Sequence, residues 1–185
     1  MPEPGEPLRP GHVFAALADR LPADSVVVEE TPSSQPELYD RLPIRSPHGF
    51  YSAPNGGLGF GLSGSIGLRM GDPKRAVVGI VGDGASMYTI QSLWSAAQYD
   101  VGVLLIVMAN GGYRVMDGLA KTHGGPGAWP SFENIDVSGL ARAFGCPAVR
   151  VETHDELMQT LDEVIPGLAE RSEPLVLEVA LGPGR

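Results

Sequence analysis

Two glycine-flanked motifs, each at the end of an apolar run, carry side chains that can bind a cation. Asp83 follows the run AVVGIVG and precedes a glycine, and Asn110 follows the run VGVLLIVMA, 27 positions later, and precedes two glycines. A carboxylate, an amide oxygen, a backbone carbonyl and two phosphate oxygens make a suitable octahedral set for Mg²⁺. Glycines let the backbone approach a ligand, and the N-terminus of a following helix attracts phosphate. The pattern therefore predicts a metal ion, bridged to a diphosphate, between two strand ends.

Either motif alone is weak evidence, because GDG and N-G pairs are also frequent in ordinary turns. The specific signal is their order along the chain, in which a strand, GDG, an amphipathic helix, a second strand and N-G-G follow one another. A third segment, EETPSS, also ends a predicted strand and adds Ser33. We expect these three strand ends to lie together.

Alternating strands and helices must position these residues. The continuous apolar runs are typical of parallel strands that are covered on both faces. We expect strands in SVVVEE, AVVGIVG, VGVLLIVMA, CPAVRVE and PLVLEVAL, and a short extended piece in GFYSAP. We expect helices in HVFAALADRL, SSQPELYDRL, GGLGFGLSGSIGLRMG, SMYTIQSLWSAAQYD (capped by Ser86), DVSGLARAFG and HDELMQTLDEVIPGLAER. The pattern predicts a three-layer, doubly wound α/β domain with a mainly parallel sheet of about six strands. Ligands bind such sheets outside the carboxyl ends of the strands.

Length and composition indicate one globular domain of 185 residues, 43% apolar and 19% charged. Residues 1–9 are Pro-rich and resemble a linker, so we assign the domain to residues 10–185. A net charge of −9 without a basic stripe argues against nucleic acid and anionic membranes as partners. The longest apolar run is too short to span a bilayer, no signal peptide is recognised, and Cys146 is the single cysteine. We expect a cytoplasmic protein.

The combined motif resembles the diphosphate-binding motif of thiamine diphosphate enzymes, which begins with GDG and ends in an asparagine. The similarity extends from about Leu8 over almost the whole chain. It is strongest to the C-terminal domain of benzoylformate decarboxylase and its relatives, through GGLGFGL, GDGASMYTIQSLWSAAQYD and PLVLEV. The resemblance implies the thiamine diphosphate-binding fold, with thiamine diphosphate and Mg²⁺ (or Ca²⁺) as cofactors.

The resemblance also implies roles for individual residues. Asp83, the Asn110 side chain and the Gly112 carbonyl would coordinate the metal ion. Gly56 and the Leu58 N–H would meet the aminopyrimidine, and the Leu58 side chain would hold the cofactor in its bent V shape. The other cofactor contacts would come from Ser33 (with Thr31 or Ser34 as further candidates), Gly82, Gly84, Ala85, Tyr88 and Tyr113. The substrate-facing residues would be Val115, Met116 and Leu119, in a segment without the aromatic residues expected for an aryl substrate.

Members of this family also need a pyrimidine-binding domain, which carries a glutamate that protonates the cofactor ring and lies on a neighbouring subunit. Nothing in the sequence resembles that domain, so we expect no catalytic residue in this chain. Glu30 stands at a strand end, and we interpret it as structural rather than as a substitute proton relay. The chain is therefore expected to be an incomplete enzyme, either a subunit of a split enzyme or an excised domain.

The leading hypothesis is the diphosphate- and Mg-binding part of a thiamine-diphosphate-dependent decarboxylase, a carboxy-lyase acting on a small 2-keto acid. It would need a separate pyrimidine-binding domain or subunit and would form a homo-oligomer. The alternatives are an acetolactate-synthase-like carboligase, a split sulfopyruvate-decarboxylase-type subunit, or a non-catalytic module of the same fold.

Overall fold

One six-stranded sheet forms the centre of the protein, which is a computed structural model that describes residues 6–125 and 127–182. The strand order is β2-β1-β3-β4-β6-β5, and every neighbouring pair is parallel. The strands are β1 Val26–Glu30, β2 Phe50–Ser52, β3 Val77–Gly82, β4 Leu104–Ala109, β5 Ala148–Val151 and β6 Leu175–Ala180. The predicted parallel sheet is confirmed.

Helices cover both faces of this sheet. They are α1 Pro10–Arg20, α2 Gln35–Arg41, α3 Gly61–Gly71, α4 Asp83–Ser86, α5 Ser92–Gln98, α6 Arg114–His123, α7 Val137–Ala143 and α8 His154–Val164, and a 3₁₀ turn follows at Ile165–Gly167. One hydrophobic cluster joins the sheet to α1 and α8, and a second joins it to α3, α5 and α7. The three-layer α/β prediction is confirmed. No helix within the described ranges is long and apolar enough to cross a membrane.

The strand order creates a crevice where the site residues lie. After β1 the chain adds β2 on one side of it and then β3 on the other. Such a reversal leaves a gap outside the carboxyl ends of the strands, because the two following connections diverge. The strands β1, β3 and β4 are neighbours, so the three polar strand ends meet at this edge.

Helix α3 packs very closely on the sheet at two glycines, Gly61 of the helix and Gly79 of β3. A Cβ atom on Gly61 would lie 2.5 Å from the Val81 side chain, and one on Gly79 would lie 2.4 Å from Ser65 Oγ. No larger residue fits at either position without a shift of the helix. This close contact fixes α3 against β3, the strand that ends at the GDG motif.

Two helix predictions are wrong at their boundaries. The predicted helix from Gly56 begins only at Gly61, because Gly56 and Gly59 have φ angles of 64° and 106°, which a right-handed helix excludes. The last long helix ends at Val164, and the 3₁₀ turn that follows contains Pro166, which lacks the N–H that an α-helix requires.

The helix predicted after GDG is divided into two. Helix α4 ends at Ser86 and α5 begins at Ser92. The prediction that Ser86 caps the helix is therefore wrong, since the Ser86 hydroxyl lies inside α4 and donates to the Asp83 carbonyl at 2.7 Å.

The predicted linker, residues 1–9, is described only from residue 6 onward. There Leu8 is fully buried in the core, and its carbonyl accepts a hydrogen bond from the Gly182 N–H at 2.9 Å. The domain boundary at residue 10 stays a prediction.

Candidate functional site

The ends of β3 and β4 are joined by a carboxylate. Asp83 directly follows β3 and is the first residue of α4, whereas Asn110 directly follows β4. The Asp83 Oδ2 atom accepts a hydrogen bond from the Gly111 N–H at 2.7 Å, and Oδ1 accepts one from the Gly84 N–H at 2.8 Å. The GDG and NGG motifs, distant in sequence, therefore form one structural unit.

A cleft of about 280 Å³ opens beside this unit. Its lining comes from the loops after β1, β3 and β4 and from the Gly56–Leu58 turn: Thr31, Pro32, Ser33, Gly56, Leu58, Gly82, Asp83, Gly84, Ala85, Asn110, Gly112, Tyr113, Val115 and Met116. Two of the predicted site residues, Tyr88 and Leu119, lie outside this lining and are 57% and 49% exposed. The structure thus brings the other predicted site residues, apart from the alternative candidate Ser34, to one cavity.

The Asp83 carboxylate is buried without a cationic partner. Its residue is only 4% exposed, and burial raises its pKa above the usual 3.8, while the backbone N–H donors partly oppose that shift. No cationic side chain in the described part of the chain contributes to the shift. A buried charge is costly unless a counter-charge accompanies it. A bound cation would supply that counter-charge.

The donor set fits a metal ion that is completed by its ligand. Within the described ranges no three His, Cys, Asp or Glu side chains come close enough to hold a metal ion. The site instead offers the Asp83 carboxylate, the Asn110 amide oxygen, which accepts the Gly112 N–H at 3.1 Å, and backbone carbonyls. Oxygen donors of this kind suit Mg²⁺ or Ca²⁺, and phosphate oxygens commonly complete a Mg²⁺ shell.

Because Gly84 has no side chain, a ligand in the cleft can come close to its backbone. A Cβ atom there would lie 2.6 Å from the Tyr113 ring and 3.0 Å from the Phe132 ring, so no side chain fits. The Tyr113 hydroxyl interacts with Tyr88, and burial, followed by that interaction, raises the pKa of Tyr113 to about 12. Tyr113 therefore stays a neutral hydrogen-bonding group at physiological pH.

The first strand end contributes hydroxyl groups. Ser33 lies in the loop after β1, and its Oγ accepts the Val115 N–H at the start of α6 at 3.0 Å. Thr31 lines the cleft although its residue is 98% buried, with 2% of its surface exposed. Pro32 between them has neither an N–H nor a hydroxyl to offer a ligand.

Both carboxylate oxygens of Glu30 accept hydrogen bonds from the protein backbone. Its Oε1 accepts the N–H groups of Gly59 and Phe60 at 2.6 and 3.1 Å, and its Oε2 accepts that of Gly61 at 2.9 Å. The buried carboxylate thus satisfies the N–H groups of the first residue of α3 and of the two residues before it. This contact supports the structural interpretation of Glu30.

Sequence reasoning missed two residues that contact the site unit. Arg114 donates from Nε and Nη2 to the Asn110 carbonyl at 3.1 and 3.0 Å. Phe132 packs its ring against Tyr113 with centroids 4.9 Å apart. Phe132 lies in an irregular segment without apolar periodicity, so no local pattern marks it.

Comparison with known proteins agrees with this geometry. Residues 33–179 match the family model described as "Thiamine pyrophosphate enzyme, C-terminal TPP binding domain". A benzoylformate decarboxylase of Pseudomonas aeruginosa is 36% identical over 96% of this chain and 33% of its own length. A Mycobacterium tuberculosis protein, provisionally named as an acetolactate synthase large subunit, is 27% identical over 76% of this chain and 29% of its own length.

Among solved structures, the thiamine diphosphate-dependent 4-hydroxybenzoylformate decarboxylase of Rhodococcus jostii RHA1 superposes with a TM-score of 0.91 at 29% identity, over 99% of this chain and 34% of that one. The chain thus spans about a third of the length of these relatives. Because the family match covers most of the chain, and the cleft lies where the family motif predicts it, this chain belongs to the thiamine pyrophosphate enzymes and carries their C-terminal TPP-binding domain.

Proposed function

We propose that this chain is the diphosphate- and Mg²⁺-binding part of a benzoylformate-decarboxylase-like enzyme that decarboxylates a small 2-keto acid. The observation that most strongly supports this proposal is the buried Asp83 carboxylate. It has no cationic partner among the described residues, and it joins the GDG and NGG motifs at the edge of a cleft. The similarity to a benzoylformate decarboxylase over nearly the whole chain supports the reaction class.

Each part of the cleft has a separate role in this proposal. Asp83, Asn110 and the Gly112 carbonyl hold the metal ion, which Ca²⁺ can replace. Diphosphate contacts come from the backbone at Gly82, Gly84 and Ala85 and from Ser33, Tyr88 and Tyr113. Gly56 and Leu58 contact the aminopyrimidine side, and Val115, Met116 and Leu119 face the substrate. Thiamine diphosphate, when bound, supplies the nucleophilic carbon and the electron sink for decarboxylation.

The complete enzyme needs a further domain in this proposal. The chain spans about a third of its relatives' length, and Glu30, the carboxylate considered as a substitute proton relay, is already hydrogen-bonded at the start of α3. We propose a separate pyrimidine-binding domain or subunit that supplies the relay glutamate, assembly as a homo-oligomer, and a cytoplasmic location. No catalytic residue is assigned to this chain.

A second candidate is carboligation, which the similarity to a protein named as an acetolactate synthase large subunit favours. Both activities use the same cofactor and the same metal and diphosphate contacts, so this cleft supports either. Product analysis with pyruvate separates them in the assembled enzyme, because a carboligase releases a coupled hydroxy-keto acid and a decarboxylase releases an aldehyde.

Calorimetric titration with thiamine diphosphate tests the proposal. We expect Mg²⁺-dependent binding that is abolished by a chelator and by the Asp83→Ala substitution, while the circular dichroism spectrum stays native. Thiamine without the diphosphate is the matched ligand control and should not bind measurably. Equal affinity of the wild type and the Asp83→Ala variant would overturn the metal assignment, and no binding by the wild type would overturn the proposed function.

A further inference from the structure

Phe132 makes contacts that differ from those of the apolar residues around it. Its ring meets the Tyr113 ring edge-on, with centroids 4.9 Å apart and an interplanar angle of 88°. The same two rings cover Gly84, where an added Cβ would lie 3.0 Å from Phe132. The Phe132 ring, which does not line the cleft, therefore packs against Tyr113 and holds it next to the GDG motif.

The backbone of Phe132 contacts the other motif. Its N–H donates to the Gly111 carbonyl at 2.9 Å, and the Gly111 N–H donates to Asp83 Oδ2 at 2.7 Å. Gly111 has a φ of 78°, a conformation that glycine adopts readily and other residues rarely adopt. One residue thus contacts GDG through its ring and NGG through its backbone.

Core packing does not account for this side chain. Neither hydrophobic cluster of the described residues includes Phe132, whereas Ile135, three positions later, packs against the cluster that contains α3, α5 and α7. Phe132 is half-buried and lies in the irregular segment before α7. A residue kept only for stability would be expected to contact one of those clusters.

We propose that Phe132 is a positioning residue for the diphosphate site, which clamps Tyr113 onto Gly84 and holds Gly111 against Asp83. This inference rests on the proposed function for its ligand, but the clamp itself is a property of the protein without ligand. Preorganisation of this kind raises affinity because the loops no longer lose their freedom on binding. The residue contacts neither the metal ion nor the diphosphate in this proposal.

The test compares Phe132→Ala with Ile135→Ala, a matched truncation in the same segment that affects the core instead. Phe132→Tyr, which keeps the ring, is the conservative variant. Three quantities are measured on the full chain: affinity for thiamine diphosphate and for inorganic diphosphate with Mg²⁺, hydrogen exchange of the Gly111 amide without ligand, and the thermal unfolding midpoint.

We expect Phe132→Ala to bind thiamine diphosphate and inorganic diphosphate about tenfold more weakly. Loss of the aromatic pair and of the preorganisation that it provides can account for a change of this size. The Gly111 amide should exchange about tenfold faster, since its bond to Asp83 opens more often. Ile135→Ala should lower the unfolding midpoint while leaving affinity and Gly111 exchange near wild-type values. Phe132→Tyr should keep ligand affinity and Gly111 exchange near their wild-type values.

Two results would overturn the inference. One is wild-type affinity and wild-type Gly111 exchange in Phe132→Ala. The other is an equal loss of affinity and protection in Ile135→Ala, which would show that both residues act only through stability. If the wild type fails to bind either ligand, the proposed function falls, and faster Gly111 exchange in Phe132→Ala alone would still support the clamp.

Discussion

Asp83 is a buried carboxylate whose charge is met only by backbone N–H groups among the described residues. The structural residue Glu30 is buried and hydrogen-bonded in the same way, but Asp83 lines the cleft and Glu30 does not. Leu58 contributes something different, an apolar side chain in the Gly56–Leu58 turn that also lines the cleft. At the scale of single residues, anchoring of the diphosphate and shaping of the cleft are therefore separable.

Leu58→Ala tests that separation. We expect the variant to bind inorganic diphosphate with Mg²⁺ as tightly as the wild type, because the metal ligands are untouched. Turnover by the assembled enzyme should fall, since the apolar support of the cofactor is lost. Calorimetry and a decarboxylation assay measure the two effects. Loss of diphosphate binding comparable to that of Asp83→Ala would argue against separate roles.

Helix α3 depends on Glu30 for its first turn. Replacing Glu30 by alanine leaves three N–H groups at the helix start without their acceptor. We expect the free energy of unfolding to fall by about 2 kcal/mol or more, which denaturant titration measures. Glu163→Ala, an exposed substitution on α8, is the control and should change it by less than about 0.5 kcal/mol. Unchanged stability of Glu30→Ala together with lost turnover would point to a catalytic role instead.

Helices α5 and α7 enclose the single cysteine. Cys146 is buried in the cluster shared by these helices, its Sγ donates to the Leu93 carbonyl, and burial raises the pKa of the thiol to about 11. The buried thiol favours the folded state while it is protonated, because the unfolded chain loses this proton at a lower pH than the folded one. This contribution to the free energy of unfolding is fully present below pH 9.0 and is lost as pH rises through about 11.

We therefore expect the Cys146 thiol to react with a thiol reagent at pH 8 only after unfolding, because the thiolate is scarce and the sulfur is inaccessible. Labelling with and without denaturant, followed by mass spectrometry, measures this. Rapid labelling of the native protein would show that α5 and α7 open readily.

At the scale of the whole molecule, the cleft is open to one side. Helix α6 has no buried residue in the described chain, and Val115, Met116 and Leu119 expose apolar surface beside the cleft. Open polar sites are weak because water screens their electrostatic contacts. This exposed surface supports the proposal that a further domain completes the site.

We expect the chain alone to show no measurable turnover of 2-keto acids, even with saturating thiamine diphosphate and Mg²⁺, because the relay carboxyl belongs to another domain in our proposal. Addition of a chain that carries a pyrimidine-binding domain should restore activity. The exposed apolar surface should also cause self-association, measured by sedimentation. Substantial turnover by the purified chain would contradict the prediction and return attention to Glu30.

Local sequence pattern was sufficient to predict the strands, the parallel sheet, and the motif residues Asp83 and Asn110. Long apolar runs and oxygen side chains flanked by glycines can each be recognised within a few residues. It failed at helix boundaries such as Gly56–Gly61, where positive φ angles depend on the surrounding turn. The family resemblance added Tyr88 and Leu119, which lie outside the cleft lining and whose roles stay predictions.

The sequence by itself determined the fold class, the family and the two motifs that build the centre of the site. Only the tertiary structure decided that Glu30 serves α3, that Ser33 reaches across to α6, and that Phe132 holds Tyr113 over Gly84. These contacts join residues from different loops, and their distances depend on the strand order and on how closely α3 packs on β3. Periodicity and motifs report local preferences, whereas such pairings form only when the whole sheet brings distant loops to one edge.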